Sequence, residues 1–135
     1  MQFLPQWLKV FSRVCLLSKL KIAPNGKTVF PEEGAYDFMS ENGCGYCFPQ
    51  DDILFVPIIT AYTKGQGLGT KLIIELEQLV QETPELREVA IPNIMNRFLL
   101  RIVLKRGYIH REEYDENFGE TVDIYYKTFK SEEND

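Results

Sequence analysis

The chain is poor in the side chains that most often carry metal or redox chemistry. Its 135 residues include one histidine, His110, and three cysteines. Cys44-Gly45-Tyr46-Cys47 could be half of a zinc site or a redox dithiol, but no second C-x-x-C exists to complete a four-ligand set. The pair also falls among predicted strands instead of at a helix N-terminus, where a reactive thiol is expected, so the preferred reading is a structural hairpin with no metal. An odd number of thiols argues against a disulfide framework. A basic stripe is missing too. Fifteen Lys and Arg against twenty Asp and Glu give a net charge of −5, which argues against nucleic acid as a partner. No apolar run approaches the roughly 20 residues that span a bilayer. Met1-Gln2-Phe3-Leu4-Pro5 lacks the charged start and small-residue cleavage site of a secretory signal. The expectation is a cytoplasmic protein with no membrane partner.

What is present suffices for one domain. Hydrophobic residues make up 44% and charged residues 26%, ordinary for a globular chain. The domain is assigned to residues 1–130, followed by an acidic disordered tail at 131–135. Trp7, Leu8, Phe11, Val14 and Cys15 recur at three- and four-residue steps and predict a core-packing helix over residues 5–20. Turn signals at Asn25-Gly26, at 31–34 and at Asn42-Gly43 separate short predicted strands at 27–30, 35–40 and 44–48. This antiparallel meander feeds an apolar strand at 53–59.

Leu68, Leu72, Ile73, Leu76, Leu79 and Val80 then mark an amphipathic helix, with Lys71 and Glu75 spaced to pair on another face. Thr83-Pro84 stops it. A strand at 89–91 follows. Asn93 or Asn96 caps a second helix that carries Phe98, Leu99, Ile102 and Val103 inward and ends at Lys105, Arg106 and Gly107. Strands at 108–114 and 121–129 close the sheet, and strand edges make a homodimer as admissible as a monomer.

Between the apolar strand and its helix lies Lys64-Gly65-Gln66-Gly67-Leu68-Gly69-Thr70. A strand that passes through glycines into a helix N-terminus suits a phosphate, because the first helical N–H groups lack acceptors and the helix dipole favours negative charge. The spacing excludes two familiar loops. A nucleotide-hydrolysing loop needs four residues between its glycines and then Gly-Lys-Ser/Thr, whereas Gly65 and Gly69 enclose three and Thr70-Lys71 reverses the order. The dinucleotide fingerprint needs G-x-G-x-x-G, and Gly65, Gly67 and Gly69 are spaced G-x-G-x-G.

The spacing does resemble Arg/Gln-x-x-Gly-x-Gly/Ala, the pyrophosphate loop of the GCN5-related N-acetyltransferase (GNAT) superfamily, with Lys64, Gly67 and Gly69 at its three positions and Lys64 departing from Arg/Gln. Asn96 and Gly107-Tyr108 are similar to a second superfamily feature, a helix-opening Asn followed about a dozen residues later by Gly-Phe/Tyr. The phrase from Pro92 to Leu99 is similar to small, phage-type members. The resemblance covers about residues 52–129. It implies an α/β (α+β) fold with a mixed, mostly antiparallel central sheet, splayed central strands and flanking helices. Pro57 and Pro92 fit such a splay, since proline is tolerated where a ladder is already broken.

The resemblance also implies acetyl-coenzyme A as donor and an amine-bearing acceptor. Backbone groups of Gln66, Gly67, Leu68, Gly69 and Thr70 would hold the pyrophosphate, with Lys64, Gly65 and the Thr70 hydroxyl beside them. Ile59, Thr60 and Ala61 would flank the pantetheine, with Asn96 or Asn93 opposite. The superfamily's thiolate-protonating Tyr falls at Val103 here, which cannot donate. Tyr108 is the candidate acid, with Tyr125 and Tyr126 as alternatives, and Asp52, beside Asp51, is the candidate base, with His110 as another. The implied activity is N-acetyl transfer to a primary amine of a small molecule, peptide or protein; the alternative is a non-catalytic acyl-coenzyme A binding module on the same fold.

Overall fold

A computed structural model describes residues 20–24, 35–63, 66–116 and 119–130. The helix predicted before Leu20, the strand predicted at 27–30, Lys64, Gly65 and the acidic tail lie outside these residues. Among the described residues seven strands form one sheet: β1 (Lys21–Pro24), β2 (Tyr36–Met39), β3 (Gly43–Gln50), β4 (Ile53–Ala61), β5 (Glu88–Pro92), β6 (Ile109–Asp115) and β7 (Glu120–Thr128). Their spatial order is β1-β2-β3-β4-β5-β7-β6, so β4 is central. Every pairing is antiparallel except β4 with β5. β1 was not expected; its four residues are too short for alternation to register above the helical pattern before them.

Among the described residues two helices accompany the sheet, α1 (Leu68–Glu82) and α2 (Arg97–Lys105). The apolar face of α1 is buried as its spacing predicts: Leu72, Ile73, Leu76, Leu79 and Val80 pack in one core with Leu54 and Val56 of β4 and Val89 and Ile91 of β5. Each such side chain contributes about 1.5–3 kcal/mol by leaving water. A smaller cluster holds Tyr46, Phe48 and Phe55, with the Phe48 and Phe55 rings stacked at 5.4 Å. Because neighbouring strand residues face opposite ways, these aromatics and the main core belong to opposite sides of the sheet. At the end of α1, the Lys130 ammonium donates to the carbonyls of Val80, Thr83 and Leu86 at 2.9, 2.6 and 2.9 Å, satisfying acceptors that the helix leaves open. Glu75 accepts from Ser40 Oγ and Asn42 Nδ2, both at 2.8 Å, tying α1 to the β2–β3 turn at Asn42-Gly43. No described helix is long and apolar enough to cross a membrane.

The middle of the sheet is deliberately irregular. Tyr46 pairs with Ile58 and Phe48 with Phe55, so Val56 and Pro57 together face Cys47 alone. This is a β-bulge, and it accommodates the missing N–H of Pro57. On the other side of β4 the parallel ladder runs only from Ile53 to Phe55 against Glu88 to Ala90. Beyond it β4 continues to Ala61 beside β3, whereas Ile91 and Pro92 pair with Tyr125 and Ile124 of β7. The two central strands therefore part. β3 keeps close to β4 here through Gly45, where a side chain would collide with the Ile58 carbonyl and the Phe38 ring.

Cys44 and Cys47 stand three apart on β3 and so point to opposite faces, which rules out a shared metal or a mutual disulfide. Cys47 is wholly buried; burial, then the Asp37 charge, pushes its thiol pKa well above the ordinary 9.0. Tyr108 is raised likewise, by burial and then by the Glu77 carboxylate. Both groups keep their protons when folded at pH values where the unfolded chain releases them. The unfolded state then binds fewer protons, so stability is complete below about pH 9 and is lost as pH rises. Urea titrations between pH 8 and 11 should show the unfolding free energy falling, with a limiting slope of about 1.4 kcal/mol per pH unit for each group. Cys47→Ala should remove the portion that begins near pH 9, and a flat profile in the parent chain would contradict the assignment.

Candidate functional site

The helix that follows the glycine run begins without a cap. Gly67 is its N-cap, with φ 72° and ψ 10°, and it offers no side chain to bond the first-turn amides. Only glycine enters this left-handed conformation without strain. A Cβ placed there meets nothing within 4 Å, so the space before the helix is open. The Lys71 amide closes the first turn on the Gly67 carbonyl at 3.2 Å, which leaves the amides of Leu68, Gly69 and Thr70 without an intrahelical acceptor. α2 differs. Asn96 Oδ1 accepts from the amides of Phe98 and Leu99 at 2.8 and 3.3 Å, so that N-terminus is already satisfied.

A cavity of about 460 Å³ joins these features, within the range of small-molecule sites. One wall is the end of β4, Ile59, Thr60 and Ala61, with Thr63 beyond it. The second is Gly67, Leu68, Gly69 and Thr70 at the start of α1. The third is α2, through Asn96, Phe98, Leu99, Arg101 and Ile102. The β4 wall is the stretch where β5 has turned away, so among the described residues its main chain has no ladder partner on that side. An uncapped helix N-terminus and an unpaired strand edge thus share one apolar slot, able to take a phosphate at one point and an extended amide-bearing chain at another.

Solved structures show the same architecture. A Klebsiella pneumoniae protein assigned as an acyl-CoA N-acyltransferase is similar at a TM-score of 0.57 with 12% identity, over 91% of this chain and 89% of that one. The fold is that of the GNAT acetyltransferases. The spermidine N-acetyltransferase of Vibrio cholerae is similar at 0.55 and 14% identity, over 73% of this chain and 66% of its own. An aminoglycoside acetyltransferase in complex with coenzyme A is similar at 0.52 and 18% identity, over 70% and 65%. The chain thus spans just under two thirds of the length of these last two. No protein-family model matches the sequence, and no curated protein matches it.

Within the GNAT fold, the sequence-predicted residues fall into two groups. Ile59, Thr60, Ala61, Gly67, Leu68, Gly69, Thr70 and Asn96 all line the cavity. Gln66 is an exposed residue immediately before Gly67. Lys64 and Gly65 lie outside the described residues. Asn96, not Asn93, is the helix cap; Asn93 sits past the end of β5 with φ 54° and its amide bound to the Asp123 carbonyl at 2.7 Å.

The candidate acid and base are not brought to the cavity. Asp52 precedes β4 and pairs with Arg87 at 2.8 Å, where β4 and β5 are still laddered. That is eight residues, or about 26 Å of extended strand, from Thr60. Tyr108 is buried in the core beneath Lys127, whose ammonium is 5.9 Å from its ring, and its raised pKa opposes ready proton loss. Val103 is also fully buried. Tyr125 packs on the core and against His110 at 5.0 Å, and Tyr126 lies under the Arg111 guanidinium at 4.3 Å. His110 Nε2 is 2.8 Å from Asp123 Oδ1 on the exposed part of β6 and β7, with Glu112 close by.

Of the α2 wall, the sequence anticipates Asn96 alone. Phe98, expected inward, is 64% exposed and lines the cavity with Arg101. The available signal was the crowding of apolar residues on a nine-residue helix, Phe98, Leu99, Leu100, Ile102, Val103 and Leu104, more than one face can bury.

Proposed function

We propose that the protein is an N-acetyltransferase that moves an acetyl group from acetyl-coenzyme A to a primary amine. The observation that carries this reading is the coincidence, in one cavity, of an uncapped glycine-led helix start with a strand edge released by the parting of β4 and β5. The amides of Leu68, Gly69 and Thr70 suit the pyrophosphate, supported by the helix dipole and by the Thr70 hydroxyl. The free edge of Ile59 to Ala61 suits the amides of pantetheine, as an added strand would. Asn96 uses Oδ1 for its own helix and keeps its side-chain N–H donors for that arm. Donor and acceptor held in one slot supply proximity, the main contribution the described residues offer.

Among the described residues the lining holds no carboxylate, imidazole or phenol. This favours acceptors that arrive already deprotonated or exchange protons with water, since an alkylamine has a pKa of about 10 and must be neutral to attack. The same observation keeps a second reading in play, a binding module that holds acyl-coenzyme A without turnover.

The experiment has two stages. Coenzyme A at about 100 times its Kd should raise stability by about 2.7 kcal/mol, visible as a higher Tm. No shift at millimolar ligand would reject both readings. Acetyl-coenzyme A offered with polyamines, aminoglycosides and peptide N-termini should then release free thiol, and release should rise with pH through the amine's titration. Binding without thiol release would leave the module reading.

A further inference from the structure

We infer that Phe98 and Arg101 form a subsite for the nucleotide end of coenzyme A, Arg101 reading the 3′-phosphate and Phe98 covering the adenine. The inference rests on the coenzyme A reading above and extends it to residues that the glycine loop does not contain. Coenzyme A is a chain with its pyrophosphate between two unlike ends. If the pyrophosphate sits on the α1 amides and the pantetheine follows the free β4 edge, the nucleotide must leave the helix start on the side away from that edge.

α2 forms that side. Ile102 Cδ1 lies 3.0 Å from where a Cβ on Gly69 would stand, so this part of α2 rests directly on the first turn of α1. Phe98 and Arg101 are three residues apart and therefore share a face beside Ile102. Both line the cavity, and Arg101 is the one cationic side chain among its described lining residues.

The chemistry of each residue fits the assignment. A phenyl ring 64% exposed at the edge of a cavity is unfavourable in water and offers a flat face on which a purine can stack. An arginine fork matches a terminal phosphate with two parallel N–H donors, and a chain of net charge −5 needs such a local cation to receive a polyanion. The pyrophosphate already has the amides of α1. For the 3′-phosphate, by contrast, Arg101 is the one charged donor among the described lining side chains; the others are threonine hydroxyls and the Asn96 amide, which the pantetheine would use.

The test compares coenzyme A with 3′-dephospho-coenzyme A by calorimetry on the intact chain, so that turnover plays no part. The parent chain should bind coenzyme A about tenfold more tightly than the dephospho form, the size expected of a solvent-accessible charged pair with good geometry. Arg101→Gln should erase that preference while leaving dephospho-coenzyme A affinity unchanged, and the preference should shrink with added salt. Phe98→Ala should weaken both ligands alike, by about fivefold to tenfold. Arg97→Gln, one helical turn away and outside the cavity lining, should change neither. Equal weakening of both ligands by Arg101→Gln, or equal parent affinities, would overturn the 3′-phosphate assignment while coenzyme A binding itself stood. Absence of any binding would overturn the underlying reading together with it.

Discussion

Gly67→Asp is expected to weaken coenzyme A binding by at least about a hundredfold while leaving the chain folded. The new carboxylate would stand at the mouth of the α1 N-terminus, in the open space that the Gly67 Cβ position faces. There it competes with the ligand for the amides of Leu68, Gly69 and Thr70 and for the positive end of the dipole. It also repels the pyrophosphate. Two unit charges 4 Å apart at an effective dielectric near 20 interact by about 4 kcal/mol, so even a screened fraction accounts for two decades in Kd.

The effect on folding is smaller because two terms oppose. Asp in the left-handed region costs about 1 kcal/mol, and a negative charge at a helix start returns about 0.3–1 kcal/mol. Gly67→Ala separates them: it carries the backbone strain without the charge, so it should lose about 1 kcal/mol of stability and less than tenfold in affinity. Titrating coenzyme A into the three proteins by calorimetry checks the ordering. Affinity in Gly67→Asp equal to that of the parent would show that the phosphate lies elsewhere.

The sequence was most legible where one physical cause acts alone. The apolar spacing of Leu72, Ile73, Leu76, Leu79 and Val80 has one explanation, and the structure buries all five. Pro57 and Pro92 were readable as breaks in the ladder because proline lacks a donor, and both lie where β4 and β5 no longer pair. The glycine loop was readable because conformational freedom and spacing are local properties.

Where two causes competed, the sequence misled. Phe98 has the hydrophobicity of a core residue, yet it is exposed and lines the cavity, while Ile102 of the same helix rests on the first turn of α1. Tyr108 follows a helix stop much as a catalytic residue would, yet the chain turns at Arg106 and Gly107 and its amide bonds the Val103 carbonyl at 3.0 Å, which seats the ring in the core. Asp52 looked like a base at the head of the central strand; the arginine that engages it is 35 positions later, at Arg87. Glu77 gave no signal at all, because a glutamate on an amphipathic helix is assigned to solvent by default.

Glu77→Ala is expected to cost about 3–5 kcal/mol, the largest stability loss of any single change considered for this chain. Glu77 projects from α1 with only 3% of its surface exposed. One carboxylate oxygen accepts from Arg106 Nε and Nη2 at 3.0 and 2.5 Å, and the other is 3.9 Å from Lys127 Nζ. Lys127 also donates to the Arg106 carbonyl at 2.6 Å. The carboxylate thus ties α1 to the end of α2 and to β7, and its hydrogen bond holds the Arg106 guanidinium above its usual pKa. Removing it leaves two cations side by side with no anion between them, in surroundings that only partly solvate them. The penalty is that uncompensated charge, not the worth of the pair, which is why a buried pair of modest net value is so costly to break.

The double variant Glu77→Ala with Arg106→Ala should therefore be more stable than the sum of the single losses predicts, by about 1–3 kcal/mol. Glu77→Gln, which keeps the acceptor and drops the charge, should fall between parent and Ala. Urea denaturation of the five proteins, the parent, Glu77→Ala, Arg106→Ala, the double variant and Glu77→Gln, measures each term. Additive losses would mean that Glu77 contributes through packing alone and that α2, whose first turns wall the cavity, is held against α1 without this clamp.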